Sequence, residues 1–340
     1  MVGRDADNEE DFATTDTMSN TNQSDAEEAS SNATPSTNRR RVLQGIGAAG
    51  VVGVAGSSSV QAQQLNTDTA SIHGDDSEIA IGTQFWTYNA NSDKSTAELI
   101  YEADDAGYDM VEPFMGFDNV DAISTALEET DVEMGSAHVG VGSLEDNDEM
   151  IQMLSDYGVN HLVHAYQGPD TFSDESALEE FAGRVNDVAD RLAEEDIQYG
   201  YHNHNHEFEE TIGDTIAYDV FVENLNDNAH LQIDAGWVLT GGQDPIEYIQ
   251  KYSDKTFSIH MKNMEGGDFY EINEGGVNME AVATVARNAA DVDYLIYEYD
   301  AAPQPMASMK IGANWLQRMN SRKHYSGLCG SDSDTHPVML

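Results

Sequence analysis

The sequence predicts a closed barrel of eight parallel strands, each followed by a helix, as a single α/β domain at residues 77–320. From residue 77 onward, short apolar runs alternate with helical patterns, which is typical of parallel βα units. Eight such units in about 250 residues match the (β/α)8 TIM barrel. The alternative, an open doubly wound sheet, needs a glycine-rich phosphate-binding turn after an early strand. The segment Gly140-Val141-Gly142 is too short to serve as that turn.

The elements follow in chain order from short apolar runs for strands and apolar residues at helical spacing for helices. Strands are expected at 78–86, 110–114, 132–139, 160–165, 197–203, 231–234, 257–262 and 294–299. Helices are expected at 95–106, 120–129, 144–157, 175–194, 245–252, 279–290 and 306–319. Ser92 or Asp93 is the expected N-cap of the first helix.

The first 76 residues are set apart from the barrel by their composition. Residues 1–38 are mostly acidic, hydroxyl and amide side chains, so we expect them to be disordered. Residues 39–62 combine paired arginines, a short Gly/Ala-rich apolar run and the small-residue site Val60-Gln61-Ala62, which resembles a twin-arginine export signal. The run is too short for a stable membrane span, although an uncleaved membrane-resting segment is an alternative. We therefore expect an exported protein, with a linker at 63–76 and a disordered tail at 321–340.

The composition narrows the classes of partner. Acidic residues outnumber basic ones 63 to 15, for a net charge of −48. The acids are spread along the whole chain, which favours the solvated acidic shell of a halophilic protein over a dedicated binding patch. Because no basic stripe is present, nucleic-acid binding is disfavoured. The single cysteine, Cys329, excludes an internal disulfide framework and a cysteine-rich zinc site.

Metal-ligating residue types follow the last four predicted strands. In such a barrel the active site lies at the carboxyl ends of the strands, where this chain carries Glu207, Asp234, His260 and Glu298. Because each lies one βα unit from the next, we expect them to converge on one divalent metal ion. One imidazole and three carboxylates favour Mn²⁺, with Co²⁺, Mg²⁺ or Zn²⁺ as other candidates. The alternative is a set of strand-end ion pairs.

The fifth strand ends in a dense cluster of polar residues. Residues 200–208 hold three histidines, two asparagines and a glutamate, a group that is costly to bury unless each member finds a partner. His202 or His204 is therefore an alternative to Glu207 as the fifth-strand metal ligand. Hydrogen-bonded core histidines are the explanation that needs no metal.

Short motifs at the strand ends resemble one protein family. They are Ala106-Gly107-Tyr108, Val111-Glu112, Ser136-Ala137-His138, Tyr201-His202-Asn203-His204, Glu207-Phe208, Ile233-Asp234-Ala235-Gly236-Trp237, Ile259-His260-Met261-Lys262 and Tyr297-Glu298-Tyr299-Asp300. Over residues 79–316 the chain resembles the xylose isomerase-like TIM-barrel sugar phosphate isomerases and epimerases. The resemblance implies a divalent metal held by Glu, Asp, His and Glu from strands five to eight, the four positions given above.

The chain departs from the family pattern at three places. Asn263 stands where an aspartate is usual after the His-x-Lys motif, and His206 replaces an aromatic residue before the glutamate. Residues 265–267 lack the arginine that some ketose epimerases use. The absence of an Arg or Lys cluster in the sequence also disfavours a phosphorylated substrate.

The expected activity is a metal-dependent isomerisation or epimerisation of a sugar, keto-sugar or cyclitol. Glu207 and Glu298 would remove and return the proton alpha to a carbonyl, while the metal stabilises the enediolate. The residues expected to bind substrate are Glu112, His138, His202, His204, Trp237 and Lys262.

Two other functions start from the same residues. A metal-dependent lyase or dehydratase acting on 3-keto sugars or inosose begins with the same proton abstraction. A non-catalytic, exported sugar-binding barrel would keep Trp237 and the histidines without needing a metal. The sequence leaves a homo-oligomer open.

Overall fold

Parallel strands form the centre of the protein, in a computed structural model that describes residues 79–114, 117, 119–290 and 292–321. The expected acidic segment at 1–38, the export signal at 39–62, the linker at 63–76 and the tail beyond residue 321 lie outside the described residues. No described helix is long and apolar enough to cross a membrane.

The eight barrel strands are all parallel to their neighbours. They are β1 (Ala80–Gln84), β2 (Met110–Glu112), β3 (Ser136–His138), β4 (His161–His164), β5 (Gln198–His202), β6 (Ala229–Asp234), β7 (Thr256–Met261) and β8 (Tyr294–Tyr297). They pair in the order β2-β1-β8-β7-β6-β5-β4-β3. Isolated bridges from Met110 to Glu133 and from Phe114 to His138 span the remaining seam. This ring confirms the predicted (β/α)8 barrel.

Helices follow the strands and pack on the outside of the ring. They are α1 (Trp86–Asn91), α2 (Thr96–Ala106), α3 (Val120–Glu129), α4 (Val141–Leu144), α5 (Asp148–Asp156), α6 (Pro169–Phe172), α7 (Glu175–Ala193), α8 (His206–Glu209), α9 (Ala217–Glu223), α10 (Ala235–Thr240), α11 (Pro245–Lys251), α12 (Met279–Ala289) and α13 (Pro305–Ser321). Two short hairpins, Thr211–Ile212 with Thr215–Ile216 and Asn263–Glu265 with Asp268–Tyr270, follow α8 and β7.

The alternation of side chains along each strand separates an apolar outer layer from the barrel interior. On β5, Tyr201 faces outward, and its ring centroid lies 5.7 Å from that of Phe181 on α7. Its neighbour His202 faces inward, 4.6 Å from the ring of His260. Gly200 also faces inward, and a Cβ there would lie 2.6 Å from the ring of Phe257. A glycine at this position therefore makes room for an aromatic side chain in the lower half of the barrel.

The observed elements differ from the prediction in detail. The N-cap of α2 is Ser95, not Ser92 or Asp93, because its hydroxyl and the side chain of Glu98 form a reciprocal capping box. The short helices α1, α4, α6, α8, α9 and α10 and the two hairpins were not predicted, since segments this short show no recognisable period. The predicted first strand (78–86) extends into α1.

Candidate metal centre

Polar side chains fill the barrel interior at the carboxyl ends of the strands. All of them are buried, and they come from seven of the eight strands or the residues that follow them: Gln84, Glu112, Ser136, His138, His202, Gln232, Asp234, Ser258, His260, Lys262 and Glu298. Buried polar groups need hydrogen-bond partners or a bound ion. By their contacts, these side chains form a four-residue cluster and a hydrogen-bonded layer behind it.

The four-residue cluster consists of His202, Asp234, His260 and Glu298, whose ligand atoms all lie within 4.8 Å of one another. His202 Nε2 lies 3.8 Å from Asp234 Oδ2. His260 Nδ1 lies 3.9 Å from the same oxygen and 2.6 Å from Glu298 Oε2. The structure therefore brings together three of the four side chains that the sequence suggested, with His202 as the fourth.

Glu207 is not part of this cluster, which corrects the expectation that it would converge with the other three. Its carboxylate accepts hydrogen bonds from the Tyr201 hydroxyl at 2.5 Å and from the His204 backbone N–H at 3.0 Å. The reason is local: β5 ends at His202, and the chain then turns into α8, so the side chain of Glu207 folds back onto its own segment. Burial raises the pKa of Glu207, in keeping with a carboxyl group among neutral donors.

Asp234 ends β6 and has one oxygen available for a ligand. Its Oδ1 accepts the Trp237 N–H at 2.9 Å and caps α10. Its Oδ2 is buried and has no hydrogen-bond partner among the described residues. The amide of Asn203 bonds both the N–H and the carbonyl of Asp234, at 3.0 and 3.2 Å, and so holds the ends of β5 and β6 together. This buried oxygen faces two imidazoles and a second carboxylate, and its closest cation in the described part of the chain is the Lys262 ammonium at 3.3 Å, which makes an ion pair without a well-aligned hydrogen bond. Such a donor set fits a divalent transition metal.

Lys262 supplies a positive charge beside the cluster. Its ammonium lies 3.3 Å from Asp234 Oδ2, 3.1 Å from Glu298 Oε2 and 3.2 Å from Asp300 Oδ2. Burial alone lowers the pKa of Lys262, but the carboxylates of Asp234, Asp300 and Glu298 outweigh it, and the pKa lies above its usual value. Burial raises the pKa of Asp300 to about 8.

Glu112 lies behind the cluster, at the centre of the hydrogen-bonded layer. Its oxygens are 2.7 Å from His260 Nε2 and 3.0 Å from His138 Nε2, and they also accept hydrogen bonds from Gln84 at 2.6 Å and Ser136 at 2.5 Å. Burial works against ionisation, but His138 and His260 outweigh it and hold the pKa of Glu112 well below its usual value. Both oxygens of this fully buried carboxylate are occupied by side chains of the barrel interior. The geometry therefore favours a supporting role for Glu112 over the substrate contact that the sequence predicted.

The two histidines of the cluster have opposite charge preferences. Burial lowers the pKa of His260, but Glu112 and Glu298 outweigh it and raise the pKa to about 10. Burial, together with the neighbouring His260, lowers the pKa of His202 well below its usual value. In the absence of a metal, His260 is thus an imidazolium between two carboxylates, whereas His202 is neutral.

Aromatic side chains surround the mouth above the cluster. The ring centroid of His204 lies 5.4 Å from that of Trp237, which in turn lies 5.5 Å from Phe269. His204 Nδ1 and Trp237 Nε1 are buried without a hydrogen-bond partner among the described residues. His204 and Trp237, both expected to bind substrate, thus combine an apolar ring surface with polar atoms that lack a hydrogen-bond partner.

The sequence predicted no site role for Gln232, Asn203 or Asp300, although Asn203 and Asp300 lie within motifs that carry the family resemblance. Gln232 lies two residues before Asp234, so strand alternation puts both side chains on the interior face. Asp300 follows Glu298 by two residues at the end of β8. This two-residue periodicity could have indicated that Gln232 and Asp300 lie near the site. The hydrogen bonds between the Asn203 amide and the Asp234 backbone depend on the fold and could not be predicted from the sequence.

Comparisons with known proteins give one family and one fold. The family model described as Xylose isomerase-like TIM barrel matches residues 100–319. A sugar phosphate isomerase/epimerase from Parabacteroides distasonis is 18% identical, with a TM-score of 0.57, and the match covers 71% of this chain and 94% of that one. No curated protein sequence matches the chain significantly.

Two further solved structures have a similar fold. The probable 3-DHS dehydratase AsbF from Bacillus anthracis is 12% identical, with a TM-score of 0.59, over 70% of this chain and 99% of that one. The IOLI protein, whose structure holds a zinc atom, is 12% identical, with a TM-score of 0.59, over 73% of this chain and all of that one (100%). At these identities the similarity extends to the fold alone.

Proposed function

The chain belongs to the xylose isomerase-like TIM barrel family, and from that premise we propose that it is a divalent-metal-dependent isomerase or epimerase of a sugar or keto-sugar. The observation that carries this proposal is the buried group of His202, Asp234, His260 and Glu298 at the carboxyl ends of β5–β8. Active sites of such barrels lie at this end.

The four side chains suit a metal in the range Mn²⁺, Co²⁺ or Zn²⁺ better than Mg²⁺. Two imidazoles and two carboxylates replace the one imidazole and three carboxylates that the sequence suggested, and imidazole ligands favour transition metals over Mg²⁺. When bound, such an ion would act as a Lewis acid on a substrate carbonyl and an adjacent hydroxyl. The residues that would hold it are the four members of the cluster.

We assign the proton transfers to the carboxyl groups at the end of β8. Burial works against ionisation of Glu298, but Lys262 and His260 outweigh it and hold its pKa well below the usual value, so Glu298 is ionised and can accept the proton alpha to the carbonyl. Asp300 takes the place that the sequence gave to Glu207. It shares Lys262 with Glu298, and its Oδ1 is buried without a hydrogen-bond partner among the described residues.

The charge around the mouth favours a substrate without a phosphate group. Lys262 is the basic side chain that contacts the cluster within the described part of the chain, and its ammonium already pairs with three carboxylates. A phosphate would face Asp234, Glu298 and Asp300, and among the residues that the structure describes no unpaired cation contacts the cluster to bind it. Trp237 and His204 instead offer a ring surface and polar atoms that suit the face and hydroxyls of an uncharged sugar.

The test is exchange of a substrate C–H proton with solvent. Purified protein with Mn²⁺ at molar KCl, in D₂O, is supplied with a panel of keto-sugars and inososes, and deuterium incorporation is followed by NMR. The wild type should exchange a proton alpha to the carbonyl of one panel member, and Glu298→Gln should not. The exposed Glu265→Gln is the matched control and should exchange at the wild-type rate. Undiminished exchange in Glu298→Gln would refute its role as the base.

A metal-dependent lyase or dehydratase is the second candidate, because the similar fold of AsbF belongs to a probable dehydratase. Both reactions start with the same proton abstraction, so analysis of the products from the same panel separates them. A product that contains one water molecule less than the substrate indicates a dehydratase. A sugar-binding barrel without activity would bind a panel member after chelation of the metal and exchange no proton.

Export through the twin-arginine pathway is a separate proposal that rests on residues 39–62. The mature protein in the culture medium should begin near Gln63. An extracellular chain that begins at Met1 would contradict cleavage of the signal.

A further inference from the structure

Gln232 occupies the centre of the polar layer behind the candidate metal centre. It is fully buried on β6. Its Oε1 lies 2.8 Å from His138 Nε2 and 2.9 Å from His202 Nδ1. Its Nε2 donates to Glu112 Oε2 at 2.7 Å and to Ser258 Oγ at 3.1 Å. All of the hydrogen-bonding capacity of this one amide is therefore used by the protein.

Glu112 fixes which way the amide of Gln232 points. An ionised carboxylate only accepts hydrogen bonds, so the group 2.7 Å from Glu112 Oε2 must be the amide nitrogen. The opposite orientation would bring the amide oxygen against the carboxylate oxygen with no proton between them, which is costly for two buried groups.

The orientation of the amide fixes the protons of two histidines. Because an amide oxygen only accepts, both His138 Nε2 and His202 Nδ1 must carry a proton, whatever the charge of either ring. The free nitrogen of neutral His202 is then Nε2, which lies on the side of the cluster, 3.8 Å from Asp234 Oδ2.

We propose that Gln232 is a positioning residue that sets the tautomer of His202 and so presents Nε2, with its lone pair, to a divalent metal. The inference rests on the proposed metal-dependent function, and it also chooses between two sets of side chains. The histidines His138, His202 and His260 lie close enough together to form a metal site of their own. Two nitrogens that this set could offer, His138 Nε2 and His202 Nδ1, donate their protons to Gln232 Oε1 and have no lone pair left for a metal. The other set has the lone pair of His202 Nε2 and two carboxylates, although His260 Nδ1 must give up the proton that it donates to Glu298. We therefore assign the metal to the set that contains Asp234 and Glu298.

The experiment reads the tautomer directly and the metal affinity separately. Metal-free protein labelled with ¹⁵N-histidine is examined by two-bond ¹H–¹⁵N correlation NMR, and the signal of His202 is assigned with His202→Gln. Mn²⁺ affinity is then measured by titration calorimetry for the wild type, Gln232→Met and Ser258→Ala. Ser258→Ala is the matched control, because it removes the other partner of the same amide and leaves both imidazole contacts in place.

We expect His202 in the Nδ1–H form in the wild type. Loss of an outer-shell partner typically lowers metal affinity by 10–100-fold, so Gln232→Met should weaken Mn²⁺ binding by roughly that factor and Ser258→Ala by less than about threefold. An Nε2–H tautomer of His202 in the wild type would overturn the inference. This measurement does not depend on whether Gln232→Met folds. Unchanged affinity in a folded Gln232→Met would overturn it too. Failure of the wild type to bind Mn²⁺ would instead refute the metal-dependent function, since the tautomer is read without metal.

Discussion

Replacing Glu112 by glutamine tests whether its carboxylate organises the polar layer of the barrel. The side chain accepts from Gln84, Ser136, Gln232 and His260 at 2.5–2.7 Å. A glutamine keeps one acceptor oxygen but turns an amide nitrogen toward donors on its other side. It also leaves the His260 imidazolium with Glu298 as its remaining carboxylate neighbour at hydrogen-bond distance.

The expected loss of folding stability follows from those contacts. Removing one partner of a buried charge pair destabilises a protein by about 3–5 kcal/mol. For a domain of about 150–250 residues, each kcal/mol lowers the melting temperature by roughly 2–4 °C. Glu112→Gln should therefore melt roughly 6–20 °C below the wild type when the metal-free proteins are unfolded at molar KCl and followed by circular dichroism.

The pH dependence of folding stability provides a second test of Glu112→Gln. The pKa of Glu112 is held well below its ordinary value of 4.5 by His138 and His260. The stability that the ionised carboxylate contributes is therefore present above about pH 4.5 and is lost as the pH falls toward the folded-state pKa. Glu112→Gln should lose this part of the acid sensitivity. The exposed Glu265→Gln should melt within about 2 °C of the wild type, and a Glu112→Gln variant as stable as that control would refute the reasoning.

Three other predictions address the site, a buried histidine and the barrel interior. Asp234→Asn should lose the bound divalent ion, whereas Glu207→Gln should keep it, as measured by metal analysis of dialysed protein; equal loss in both would contradict the observed positions. Burial lowers the pKa of His164 from 6.5 to about 4, so its contribution is present above pH 6.5 and is lost as the pH falls toward 4, by up to about 3 kcal/mol. Urea unfolding should show a flatter pH dependence in His164→Gln, and an unchanged slope would count against a neutral buried imidazole. Gly200→Ala would place a Cβ 2.6 Å from the ring of Phe257 and should cost about 1–3 kcal/mol; thermal unfolding at the wild-type temperature would show that the ring moves freely.

The sequence predicted the barrel because its signal is periodic and repeated. Eight apolar runs separated by helical patterns leave few other topologies, and each boundary error was small. Asp234, His260 and Glu298 were found by the same logic, since each lies at or just after the end of a regular strand and points into the interior.

The prediction for Glu207 was wrong because strand alternation does not extend beyond the end of β5. Three histidines and a glutamate lie within six residues, from His202 to Glu207, and the sequence does not show where the strand ends and the turn begins. The strand ends at His202, which faces inward, whereas Glu207 lies in α8 and pairs with Tyr201. The sequence left His202 or His204 open as alternatives to Glu207, and the position of the turn after β5 favours His202.

Gln232 was missed for a different reason. Strand alternation placed it on the interior face, but a glutamine has no titratable group and matches no motif. Its importance comes from contacts with His138, His202 and Glu112, which lie on three other strands and meet only in the closed barrel.

The proposed function requires one divalent cation at the carboxyl ends of β5–β8. The most direct measurement is an anomalous-difference map from crystals grown with Mn²⁺ and measured near the manganese absorption edge. We expect a single strong peak in contact with His202 Nε2, Asp234 Oδ2, His260 Nδ1 and Glu298 Oε2, with the ammonium of Lys262 displaced from Asp234. A peak at Glu207, a peak among His138, His202 and His260, or no peak in the barrel would contradict it.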